Sequence, residues 1–160
     1  MKDQLEIERR WLLFRAPDYS KAIANYDITQ HYGTDGLGPF RIRCQVSTPK
    51  GAEYFLTRKT PISPGIAHEV EKQISKSEFE LFGEKCKEWI SKARFIFKND
   101  DLNFEVDIFR RDVRLTIMEV ELPSLEHPFE IPTFLQKCII HEITGLESFS
   151  NHSIAKKSSL

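Results

Sequence analysis

Residues 5–13 read LEIERRWLL. At the two-residue period of a strand, Glu6, Glu8 and Arg10 share one face, and Leu5, Ile7, Arg9 and Trp11 share the other. Two like charges then stand side by side, which on a solvent face costs only roughly 0.2–1 kcal/mol. The fold turns on whether this face meets water or something cationic.

The same alternation recurs downstream. Arg41 and Arg43 share a face in FRIRCQV, Thr57 and Lys59 in AEYFLTRKT, and Glu69 and Glu71 in GIAHEVEKQI. Later segments add Glu105 with Asp107 and Glu119 with Glu121, opposite Phe104, Val106, Ile108 and Met118, Val120, Leu122. A polar face toward water explains any one pair. It explains all of them poorly, because the helices need the apolar faces to pack on. The polar faces then gather on the other side, and a closed barrel lines its interior with them.

Turn signals separate these strands: GTDGLGP, STPKG and NDD. APDYSKAIANY suits a short helix or turn, while TFLQKCI and LESFSNHSIAKK are helix candidates and KKSSL is a tail expected to fray. One long helix is expected over residues 76–93, where Ser77 and Glu80 have capping-box spacing and Phe79, Phe82, Cys86, Trp89, Ile90 and Ala93 recur at helical steps. The order implies an α+β fold: an antiparallel sheet or barrel with helices packed outside.

Bulk properties bound the function. The 160 residues suit a single domain, 1–160. With 23 Lys plus Arg against 24 Asp plus Glu, the net charge of −1 gives no general pull toward nucleic acid or membrane. Three scattered cysteines without CxxC spacing argue against a disulfide framework or zinc site and suit a reducing cytoplasm. The first residues lack a signal peptide's apolar core, and no apolar run approaches the roughly 18–20 residues of a membrane span.

A cavity lined by both signs has a definite use. Carboxylates suit Mg²⁺ or Mn²⁺, and Arg and Lys suit phosphate oxygens, so together they take a metal–polyphosphate complex. Internal salt bridges are the structural alternative. The remaining candidates are weaker. His31, His127, His141 and His152 have no metal-ligand spacing, and Ser150 and Ser153 beside His152 lack the elbow of a hydrolase triad. GTDGLG is a hairpin turn without the helix of a dinucleotide loop. Trp11 and Trp89 suit packing between barrel and helix, and Glu142 suits either a tunnel plug or a solvated face.

EIERR resembles the ExExK signature of the CYTH domain, the triphosphate tunnel metalloenzymes. RIR, TRK, EVE, AR, FEVDIF, MEVEL and HEITGLESFSN follow in that family's order, over about residues 5–155. The resemblance implies an eight-stranded antiparallel barrel whose tunnel binds triphosphate and divalent metal. It implies Glu6, Glu8, Glu119 and Glu121 as holders of Mg²⁺ or Mn²⁺. Arg10, Arg41, Arg43, Lys59 and Arg94 fall on the phosphate side, and Glu69, Glu71 and Asp107 bind a second metal or orient the attacking water. The signature Lys is Arg10 here, which keeps the charge but cannot give up a proton. His68 stands where relatives often place a stronger base. The implied activity is hydrolysis of short linear triphosphates, inorganic tripolyphosphate foremost, with release of orthophosphate. A class IV-type adenylyl cyclase and a non-catalytic nucleotide- or polyphosphate-binding module are the alternatives. The implied partner is a small-molecule triphosphate, with no nucleic acid or membrane and with room for a homodimer.

Overall fold

The computed structural model describes residues 1–110 and 114–158. Five strands open the chain: β1 (Lys2–Leu13), β2 (Ala24–Asp35), β3 (Gly38–Ser47), β4 (Gly51–Ser63) and β5 (Ile66–Ile74). Helix α1 (Lys76–Gly83) follows, then β6 (Cys86–Asn99), β7 (Leu102–Phe109) and β8 (Thr116–Glu121). A short α2 (Thr133–Gln136), β9 (Ile139–Glu142) and α3 (Asn151–Ser158) complete the described chain.

Strand β1 closes the barrel. Its first half pairs with β5 from Lys2↔Glu71 to Ile7↔Ile66, and its second half with β8 from Glu8↔Glu121 to Leu13↔Thr116. The remaining strands run β5-β4-β3-β2-β6-β7-β8, all antiparallel, so eight strands form a closed ring. Strand β9 adds to β1 beyond the end of β5, at Trp11↔Glu142. Closure removes the free edges that an open sheet exposes to aggregation.

A polar interior moves the hydrophobic core elsewhere. One cluster lies on the outer face of β1, β6, β7 and β8, where Trp11, Phe97, Phe104, Met118 and Val120 pack against Leu135 and Cys138. A second puts Phe40, Ile42, Leu56 and Ile74 under Phe79 and Phe82 of α1. The third closes one barrel end: Tyr32, Ile90, Phe109 and Ile117 meet Ile143 and, from α3, Ile154 and Ala155. No helix among the described residues is long and apolar enough to cross a membrane.

The long helix expected over 76–93 is instead two elements. Helix α1 stops at Gly83, and Cys86 begins β6, which pairs with β2 from Gly33↔Cys86 to Ala24↔Ile96. The three- and four-residue spacing of Trp89, Ile90 and Ala93 is fortuitous; β6 pairs with β2 throughout this stretch and with β7 from Lys92 onward, so its backbone is satisfied by ladder bonds instead of helical ones. The capping box sits two residues earlier than expected. Ser75 Oγ accepts from Glu78 N–H at 3.2 Å, and Glu78 Oε2 accepts from Ser75 N–H at 2.7 Å. TFLQKCI likewise divides into one helical turn and β9. Of the tail expected to fray, Lys156–Ser158 continue α3, and residues 159–160 lie outside the described residues.

The predicted hairpin turns are in place: Asp35↔Gly38 closes GTDGLGP around Gly36 and Leu37, Ser47↔Gly51 closes STPKG, and Asn99↔Leu102 closes NDD. A further turn that sequence reading did not single out is closed by Ser63↔Ile66 around Pro64 and Gly65. Gly65 has φ +74°, and a Cβ there would stand 2.6 Å from the Glu8 carbonyl oxygen. Only glycine lets this turn approach β1, where its own carbonyl accepts the Glu8 N–H at 2.8 Å.

Candidate functional site

Alternation along β1, β3, β5 and β8 points their charged pairs inward, where the side chains surround a cavity of about 910 Å³. Glu6, Glu8 and Arg10 of β1 line it, with Glu119 and Glu121 of β8 and Glu69 and Glu71 of β5. Arg41 and Arg43 of β3, Lys59 of β4 and Arg94 of β6 line it as well. Ring order sorts them by sign although the sequence scatters them. Strands β7, β8, β1 and β5 are consecutive and carry the carboxylates, while β4, β3 and β6 carry the cations, with β2 between β3 and β6 presenting the uncharged Gln30 and Tyr32. Among the described residues two cations stand within the acidic arc: Lys2, half-exposed at the start of β1 and 3.8 Å from Glu121, and the buried Arg10.

The arcs meet through ion pairs. Lys59 joins Glu6 and lies 4.0 Å from Glu8. Arg43 donates to Glu71 at 3.1 Å, and Arg41 reaches the same carboxylate at 3.4 Å and Glu69 at 3.9 Å. Thr57 links them, accepting from Arg41 at 3.1 Å and donating to Glu71 at 2.8 Å. Burial raises the Glu71 pKa, but Arg43, the Thr57 hydroxyl and Arg41 outweigh it, so this carboxylate titrates below the usual range.

Asp107 belongs to the foundation of the site. It is fully buried, does not line the cavity, and takes Lys92 at 2.5 Å and both arms of Arg94 at 2.6 and 2.7 Å. Burial alone would raise its pKa; Arg94 and Lys92 reverse the effect and hold it ionised well below the normal range. Arg94 also pairs with Glu105 and lies 3.4 Å from Glu119.

Glu8 shows where the acidic arc is overcrowded. Burial first, then Glu119 and Glu6, raise its pKa to about 7, and Lys59 and Arg10 offset this only in part. Burial and Glu6 also raise Glu69, whose side chain makes no hydrogen bond among the described residues and has its nearest cation, Arg41, at 3.9 Å.

His68 lies outside the cavity. On β5 it alternates with Ala67 and Glu69, so its ring points outward and meets Asp3 at 2.6 Å. Glu142 also faces outward, gripped by Arg9 at 2.7 and 2.8 Å, so the barrel end is closed by the apolar side of α3 rather than by this carboxylate. Sequence reading missed Lys92, assigned to a helix, and the inward Gln30 and Tyr32 of β2, which carry no like-charged pattern. The inward period of β6, through Ile90, Lys92, Arg94 and Ile96, is the signal that would have found Lys92.

Three His, Cys, Asp or Glu side chains are nowhere drawn together as a ready-made metal site among the described residues. The donor chemistry still fits a hard dication. Glu6, Glu8, Glu119 and Glu121 are all oxygen donors on adjoining strands, and the raised Glu8 pKa marks carboxylate charge that an added cation would relieve.

Among solved structures, the chain is similar to the inorganic triphosphatase NE1496, with 27% identity over 94% of this chain and 93% of that one and a TM-score of 0.59. It is also similar to PH1819 from Pyrococcus horikoshii OT3, at 17% identity over 76% and 80% of the two chains and a TM-score of 0.61. A third is bh2851 of Bacillus halodurans, named for a proposed adenylate cyclase, at 18% identity over 79% and 85% and a TM-score of 0.60. The last two bear on the fold alone. No protein-family model and no curated protein matches the sequence. The ring of eight antiparallel strands, the charged interior and these likenesses together show that the chain has the triphosphate tunnel fold of the CYTH domain.

Proposed function

We propose that the protein is a divalent-metal-dependent triphosphatase that hydrolyses short linear triphosphates, inorganic tripolyphosphate foremost. The observation that carries this reading is the two-arc tunnel, with carboxylates on one half of the ring and cations on the other. The similarity to a protein named an inorganic triphosphatase supports it.

The internal ion pairs are the ligand-free arrangement of groups that serve a metal–triphosphate complex. Arg41, Arg43, Lys59 and Arg94 exchange carboxylate partners for phosphate oxygens, to which guanidinium binds in bidentate fashion. Glu6, Glu8, Glu119 and Glu121 hold Mg²⁺ or Mn²⁺, which supplies neutralisation of phosphate charge and Lewis-acid polarisation when bound. Water attacks the terminal phosphorus, its new P–O bond replacing the bridging P–O bond. Orthophosphate and pyrophosphate leave, and the cations of β3, β4 and β6 stabilise the charge that develops. Of the three acids assigned to the attacking water, Glu69 suits the role best. Glu71 keeps the Thr57 hydroxyl, and Asp107 keeps Lys92 and lies beneath the cavity, whereas the Glu69 side chain lines the cavity without a hydrogen bond and its raised pKa favours taking a proton.

The test is product analysis on tripolyphosphate, nucleoside triphosphates and thiamine triphosphate with Mg²⁺ or Mn²⁺. Orthophosphate from tripolyphosphate is expected. Cyclic AMP and pyrophosphate from ATP would make the protein a cyclase, and ligand-induced stabilisation without turnover would make it a binding module.

A further inference from the structure

Arg10 is a cation where the ring carries carboxylates, and its contacts turn away from the basic arc. Its Nε donates to Glu119 Oε1 at 3.1 Å, and its Nη1 donates to the Phe149 carbonyl at 3.0 Å. The backbone of the same residue holds the same segment. Arg10 N–H donates to Thr144 Oγ1 at 2.9 Å, and Arg10 C=O accepts from Ile143 N–H at 2.8 Å. Three hydrogen bonds thus run from one residue of β1 to residues 143–149, the stretch that delivers α3 to the barrel end. The side chain is 7% exposed.

We propose that Arg10 is a positioning residue rather than a phosphate ligand: it latches the C-terminal closing segment to the acidic wall and thereby fixes Glu119. The guanidinium fork makes this role specific. One planar group meets a carboxylate with one edge and a backbone carbonyl with another at fixed separation, while an ammonium at the end of a flexible stem cannot hold both. The end of the tunnel that α3 closes and the carboxylate that faces Arg94 are therefore set by one side chain. The effect on turnover rests on the triphosphatase reading; the latch itself does not.

Arg10→Lys keeps the charge and removes the fork. Amide hydrogen exchange on the ligand-free, metal-free protein reads the latch directly. The probes are Phe149 N–H, bonded to Leu146 O, and Ile154 N–H, bonded to Ser150 O. Exchange at both is expected to accelerate at least tenfold while amides of β3 and β4 stay within twofold. In turnover of tripolyphosphate, kcat should fall at least tenfold with KM within threefold. Thr144→Val removes one of the three hydrogen bonds without touching charge, along with the outward bond from Thr144 Oγ1 to Glu142, and should raise exchange at the same amides about threefold, which keeps the test decisive if Arg10→Lys does not fold. Unchanged exchange, or a KM raised tenfold or more, would overturn the proposal, and accelerated exchange with unchanged kcat would overturn the claim on Glu119. If the native protein turns over no triphosphate, the functional reading fails and exchange still decides the latch.

Discussion

Replacing Glu8 with Gln should stabilise the ligand-free protein while disabling it. Burial and the carboxylates of Glu119 and Glu6 raise the Glu8 pKa from 4.5 to about 7. Its side chain is 25% exposed, so solvent screening does not remove the effect. A carboxyl whose folded pKa lies above its unfolded value binds more protons folded than unfolded between those two values, so stability falls as pH rises through that window. At 1.36 kcal/mol per pKa unit, the ionised native protein loses about 3 kcal/mol by pH 8, relative to a side chain fixed in the neutral form. Gln is that neutral form. Urea unfolding with a metal chelator present should find Glu8→Gln more stable by about 1 kcal/mol at pH 5 and about 3 kcal/mol at pH 8. The same variant should lose at least about tenfold in turnover at limiting Mg²⁺, because a neutral amide is a poor ligand for a hard dication. A stability gap that does not widen with pH, or a wild-type protein more stable than the variant at pH 8, would refute the crowding of carboxylates.

Lys92→Met should leave Asp107 with one of its two cations in a fully buried site and cost on the order of 3 kcal/mol, read by urea unfolding at pH 7. Gly65→Ala should combine a left-handed φ with a methyl group against the Glu8 carbonyl, lower Tm by several degrees and reduce turnover by displacing Glu8. Ile154→Ala should remove an anchor of the barrel end at a cost of about 2–5 kcal/mol, and calorimetry would show it. Arg43→Ala should weaken tripolyphosphate affinity at least about tenfold while Glu71 keeps Arg41 and Thr57, so denaturation midpoints should move much less than affinity.

Inward faces were legible because polar residues at i and i+2 recurred on strand after strand; a single such pair also suits a face toward water, but helices that need the apolar faces leave the polar ones to gather inside. Glu6 with Glu8, Arg41 with Arg43 and Glu119 with Glu121 declared themselves in this way. Lys92 did not, because it stands between Ile90 and Arg94 in a stretch whose apolar residues also fit a helical period, and only pairing with β2 and β7 decides between them. The sorting of charges into two arcs was illegible for a different reason. It depends on ring order, which places β1 between β5 and β8, and no local pattern encodes that adjacency. The role of α3 was hidden as well, since Ile154 and Ala155 give a weak apolar face whose partners reach back along the chain as far as Tyr32 of β2.

The central claim is that the two arcs trade their mutual ion pairs for a metal–triphosphate complex. Diffraction from crystals soaked with Mn²⁺ and tripolyphosphate, collected for manganese anomalous signal, tests it most directly. The account predicts an anomalous peak bounded by Glu6, Glu8, Glu119 and Glu121, with phosphate density against Arg41, Arg43, Lys59 and Arg94 and the Lys59–Glu6 pair opened. Manganese and phosphate bound outside the tunnel, with that pair intact, would contradict it.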